Sequence, residues 1–145
     1  MAKELVVKRS SNIKAPARRV WEILTDPGHT QKYMFGCEVV SDWKIGSALL
    51  WKGASDGVIY VKGNLLRLEK EKLFEFTVFD PNSGIEDVPS NYSTVTIELT
   101  PGNGGTSLSV TQGDFAGMAD GKNRFMSAEA GWDVVLPKIQ EMAES

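Results

Sequence analysis

The side chains that can carry chemistry are few in this sequence, and their spacing limits what that chemistry can be. There is one histidine, His29, and one cysteine, Cys37. A transition-metal centre takes three or four imidazole, thiolate or carboxylate ligands at suitable spacing, so no metal site is expected. His29 sits in the turn-like run Asp26-Pro27-Gly28-His29, where an exposed or helix-capping histidine is the ordinary reading. As a general base it would need a neighbouring nucleophile or carboxylate, and the sequence offers it no evident one. No Gly-x-Ser-x-Gly elbow, P-loop or Gly-x-Gly-x-x-Gly turn falls between a strand and a helix, and Gly102-Asn103-Gly104-Gly105 reads as a hairpin turn. No cofactor and no catalytic residue is implied, and the lean is away from an enzyme.

Aromatic side chains and one amide remain. Trp51 shares strand parity with Leu49, Phe76 shares it with Phe74, and Phe125 lies seven positions before Trp132 on one helical stripe. Two readings stay open: these side chains fill the interior, or they line an apolar pocket with Tyr33, Tyr60 and Gln112 as polar anchors. The candidate ligand-binding set is Tyr33, Phe35, Leu49, Trp51, Tyr60, Phe76, Val95, Ile97, Gln112, Phe125 and Trp132. Trp21 and Trp43 read instead as helix-packing and turn residues. Gln112 is the most informative member, because its parity with Leu108 and Val110 turns an amide inward. A buried amide without partners costs about 1–3 kcal/mol, so Gln112 either bonds backbone near the last helix or faces a ligand.

The elements that must position these residues are legible in the pattern. Residues 4–13 read as a strand ending at Ala15-Pro16, and proline suits the first turn of the helix that follows. Ala17, Val20, Trp21 and Leu24 fall at i, i+3, i+4 and i+7 and give that helix one apolar stripe. Asp26-Pro27-Gly28 stops it and starts a second short helix through Tyr33. Strands are expected near 37–43, 47–53, 57–69, 72–79, 93–100 and 106–113, with a bulge at Gly63. The segment 80–92 is longer than a hairpin requires; it is a surface loop or a cover for a cavity mouth.

From about 118 to 143 runs a long amphipathic helix, with a kink expected near Pro137 and close packing expected against Gly131. Seven strands without interleaved long helices argue for an antiparallel sheet with helices on one face, an α+β arrangement. The whole of residues 1–145 reads as one domain.

Composition sets the outer limits. The 145 residues carry 16 Lys+Arg against 19 Asp+Glu, with no basic run, so a nucleic-acid partner is not expected. The N-terminus lacks an apolar leader, no stretch approaches the roughly 20 apolar residues of a membrane span, and one cysteine cannot form an intrachain disulfide. A cytoplasmic protein is the expectation.

Five segments carry a resemblance: IKAPARRVWEILTDP (13–27), SDWKIGSALLWKG (41–53), KGNLLRLEKEKLFEFT (62–77), NYSTVTIELTPGNGGTSLSVTQGDF (91–115) and GWDVVLPKI (131–139). In this order they resemble homologues of the activator of heat-shock-protein-90 ATPase, within the START-like, birch-pollen-allergen-like superfamily. The resemblance implies a helix-grip fold, in which a curved antiparallel sheet of about six to seven strands wraps a long C-terminal helix, two short helices follow the first strand, and a cavity lies between.

Related domains bind lipids, sterols or hormones, cyclise polyketides, or assist a chaperone, so the fold leaves function open. The eukaryotic activator carries a further N-terminal domain that remodels the chaperone; here the sequence opens on the strand before APARRVW, and that activating part is expected to be missing. Three functions follow as expectations. The first is binding of a small, largely apolar molecule between sheet and helix. The second is a chaperone- or stress-related interaction module, and the third a cyclase- or hydrolase-type enzyme using the same cavity. A monomer or weak homodimer is expected.

Overall fold

The computed structural model describes residues 4–145. Strand β1 (Val7–Ile13) leads through Pro16, the N-cap residue, into helix α1 (Ala17–Thr25). Asp26 then serves both as the C-cap of α1 and as the N-cap of α2 (Pro27–Tyr33), its Oδ1 accepting from the Gly28 amide at 2.8 Å. This is the usual answer to the unpaired amides of a helix start.

Strands β2 (Cys37–Ser41), β3 (Ala48–Gly53), β4 (Ile59–Glu69), β5 (Leu73–Val78), β6 (Ser93–Gly102) and β7 (Gly105–Gly113) follow, and helix α3 (Gly121–Glu144) closes the chain. The seven strands form one antiparallel sheet in the order β1-β7-β6-β5-β4-β3-β2. This is the α+β helix-grip architecture that the sequence pattern and the resemblance imply. Among the described residues no helix is long and apolar enough to cross a membrane.

Register decides which side chains meet. Phe74 opposes Ile97 and Ile97 opposes Val110, while two positions along the same strands Phe76 opposes Val95 and Val95 opposes Gln112. Both rows face the helices. Helix α3 is fastened along the β1 edge by polar contacts. Arg9 donates to Asp133 and Glu129 at 2.9 and 3.2 Å, Ser11 pairs with Gln140, and the Lys14 amide donates to Glu144.

The strand irregularities differ from expectation. The register of β4 shifts opposite Trp51/Lys52 and again between Leu65 and Arg67, and not at Gly63. Gly63 has another role: a Cβ there would stand 1.7 Å from the Thr77 carbonyl oxygen, so only glycine allows this approach of β5. Helix α3 is helical on both sides of Pro137 without interruption.

Gly131 also differs. A Cβ there would meet no atom within 4 Å, so the glycine leaves space open where close packing was expected.

Candidate ligand-binding site

Between the sheet and α3 lies a cavity of about 490 Å³, within the size range of small-molecule sites. Its floor is the second register row, Phe76, Val95 and Gln112, extended by Trp51, Val61 and Val78. Helix α3 forms the roof with Ala128, Gly131, Trp132 and Val135, the turn after α2 adds Met34 and Phe35, and the start of β2 adds Cys37. The aromatic wall is continuous: the Phe76 ring lies 6.0 Å from Trp51 and 4.6 Å from Phe74, centroid to centroid.

Two exposed aromatic residues, Phe35 and Tyr60, mark the open side. Phe35 holds a left-handed backbone at φ 50°, with Gly36 following at 82°, and the residue is 63% exposed. A phenylalanine in that conformation is uncommon and strained; Lys138 of α3 lies over its ring, 5.9 Å from the centroid. The Tyr60 hydroxyl donates to Asp56, and this bond with the Val58 amide holds the Asp56 carboxyl below the ordinary carboxylate range.

The interior is uncharged. Among the described residues no Asp, Glu, His, Lys or Arg lines the cavity. Burial pushes the Cys37 thiol up, which keeps it protonated. Gln112 is held at both ends by side chains: its Oε1 accepts from Trp132 Nε1 at 2.8 Å and its Nε2 donates to Ser93 Oγ at 3.0 Å. The backbone bond considered for it is absent, and the amide faces the cavity while tying β7 to α3.

Of the residues proposed from sequence, Phe35, Trp51, Tyr60, Phe76, Val95, Gln112 and Trp132 meet around the cavity. Tyr33, Leu49, Ile97 and Phe125 do not line it. Tyr33 is wholly buried beside α1, where its hydroxyl donates to the Leu24 carbonyl at 3.0 Å and burial pushes its phenol up. Leu49 and Ile97 are packed into the filled core. Phe125 lies near the start of α3, three residues before Ala128, and its ring turns away from the cavity to meet Phe115 edge-on at 6.3 Å.

The segment 80–92 supplies no lining residue. Asp87 binds Lys62 and accepts from Tyr92 at 2.6 Å, and Tyr92 stacks on Phe79 at 4.9 Å. Buried Asn91 adds bonds to Glu86 and Ala119, and Arg124 donates to its carbonyl. The loop is pinned to the sheet and to the approach of α3.

His29 is a further correction. Its Nδ1 is shielded from solvent and lies 3.6 Å from Asp26 Oδ2, with Glu22 completing a group whose ligand atoms fall within 4.8 Å of one another. The elbow between α1 and α2 supplies the carboxylate neighbours that looked absent in the sequence. None of the three borders the cavity.

With this geometry the relatives can be compared. The chain matches the family described as Activator of Hsp90 ATPase homolog 1-like protein over residues 14–144. It belongs to that family. A solution structure from Cytophaga hutchinsonii is 34% identical, with 97% of this chain and 94% of that chain covered and a TM-score of 0.76. A crystal structure from Mesorhizobium loti is 21% identical over 94% of this chain and 95% of that one, also at a TM-score of 0.76. The Aha1 dimer from Colwellia psychrerythraea is 14% identical over 96% of both chains at 0.75. The latter two share the fold. No match is found among curated proteins.

Several lining residues escaped the sequence reading. Ala128 and Val135 lie four before and three after Trp132 on the same helical stripe, and periodicity could have named them. Cys37 and Met34 could not be found that way, because a tight turn with two left-handed residues sets their direction.

Proposed function

We propose that this protein binds a small, largely apolar molecule in the cavity between the sheet and α3. The observation that carries this reading is the aromatic, uncharged enclosure of about 490 Å³, roofed by the small residues Ala128 and Gly131 and open beside Phe35 and Tyr60. Membership of a START-like family supports it. An enzyme using the same cavity is less well supported, because Tyr60 and Cys37 are the titratable groups on its lining. One is bonded to Asp56 and the other is held as a thiol.

The test is native mass spectrometry of freshly purified protein, followed by thermal shift with fatty acids, sterols and polycyclic aromatics on the wild type and Gly131→Leu. A ligand at about 100 times its Kd stabilises by about 2.7 kcal/mol, several degrees in a chain of this size. The expected result is a co-purified mass or a shift that Gly131→Leu removes. A shift unchanged in that variant, or none with any compound, would overturn the reading.

The family description favours a second reading, an interaction module acting on a chaperone. It requires a change in the ATPase rate of Hsp90 when this protein is added, and an unchanged rate would remove it.

A further inference from the structure

Gln112 is the sole amide on the cavity lining, and its neighbour decides which end is which. An indole N–H can only donate. Trp132 Nε1, 2.8 Å away, therefore fixes the carbonyl oxygen of Gln112 toward α3, and the NH2 group must point the other way, to Ser93 Oγ at 3.0 Å. That bond takes one of two amide hydrogens. Among the described residues no acceptor takes the second.

The cavity thus offers a bound molecule one fixed donor and no countercharge. The Tyr60 hydroxyl is committed to Asp56. An ion drawn inside would lose its water without a partner charge. A plain hydrocarbon would leave the amide hydrogen unpaired, at the cost of an unmade bond.

We propose that the cavity selects a neutral molecule presenting a single carbonyl-type oxygen to the free N–H of Gln112, its apolar body lying against Trp51, Phe76 and Trp132. This rests on the ligand-binding reading above and names the chemistry of that site. Trp132 is at once a wall and a positioning residue: without its N–H the amide can turn over and present an acceptor instead.

The experiment is calorimetry with three probes on one skeleton, acetonaphthone, ethylnaphthalene and naphthoate, all substituted at the same ring position, against the wild type, Gln112→Leu and Trp132→Phe. In the wild type the ketone binds roughly threefold to tenfold more tightly than the hydrocarbon, the range one net hydrogen bond supplies, and the carboxylate binds most weakly. Gln112→Leu still takes the hydrocarbon and loses the ketone preference. Trp132→Phe, which keeps an apolar wall and so tests the proposal even if Gln112→Leu fails to fold, shows a reduced preference for the ketone over the hydrocarbon.

Equal binding of ketone and hydrocarbon to the wild type, or naphthoate as tight as the ketone, would overturn the proposed selectivity while leaving the pocket as a binding site. No binding of any probe would overturn both.

Discussion

Two adjacent rows of the same sheet share parity, sequence character and orientation, yet one is core and the other is cavity. The row Phe74, Ile97 and Val110 is buried to within 3% of full exclusion from solvent, and Phe76 and Val95 of the other row are equally so; what differs is the packing above them. Trp21 of α1 packs edge-on to Phe74 at 6.2 Å and Trp43 lies 5.7 Å away, so two large side chains fill the space above it. The row Phe76, Val95 and Gln112 lies two positions further along and is faced by α3 with Trp132 and Val135 but also with the small residues Ala128 and Gly131. The floors differ only by Gln112 in place of Val110 and Val95 in place of Ile97; the larger difference is the side-chain volume that covers them. A binding site here is made by what the covering helix omits, since close-packed interiors leave few voids unless a large side chain is missing.

That contrast can be broken by mutation, and the largest effect belongs to the filled row. Phe74→Ala should cost about 3–5 kcal/mol by chemical denaturation, because Trp21 and Trp43 cannot collapse onto the space it leaves. Phe76→Ala should cost less, about 3 kcal/mol at the low end of that range, since one side of its ring already faces a void. Equal losses would mean that the two rows are packed alike.

Gln112→Leu follows at about 1–3 kcal/mol, from stranding Trp132 Nε1 and Ser93 Oγ. Gly131→Ala acts in the opposite direction. A Cβ there meets nothing within 4 Å, so helix propensity alone should raise stability by up to about 1 kcal/mol, read as a higher denaturation midpoint.

The smallest effect lies on the outer face, between the two phenylalanines, and should touch both rows equally. Glu75 accepts two bonds from Arg67 and one from Thr96, and the Arg67 guanidinium holds its carboxyl below the ordinary 4.5. A carboxyl depressed in the folded state stabilises fully above its unfolded value and loses that contribution as pH falls through the folded one. Thermal melts of the wild type should therefore drop toward those of Glu75→Gln below about pH 4.5 and stand above them at neutral pH.

Much of the fold was legible because period and punctuation are local. The alternation of Val95, Ile97 and Leu99, the glycines of the turn before β7, and the stripe of Val20, Trp21 and Leu24 each name an element and its inner face. The same signals brought Trp51, Phe76, Gln112 and Trp132 into the candidate site. They failed for Phe125, on the right stripe but with its ring packed on Phe115, and for Leu49 and Ile97, whose inward parity leads into filled core. His29 was misread for a related reason: Asp26 is three residues away in sequence, but the cap it forms between two helices is what aims its free oxygen at the ring.

The sequence by itself determined the elements, their inward faces and the family, since each follows from spacing along the chain and from residue types read in order. Only the tertiary structure decided where the interior is full and where it is empty. Which small residue of α3 lies over which aromatic of the sheet depends on strand register and helix placement, which no local pattern encodes. The orientation of the Gln112 amide likewise exists only once Trp132, twenty residues away, is folded against it.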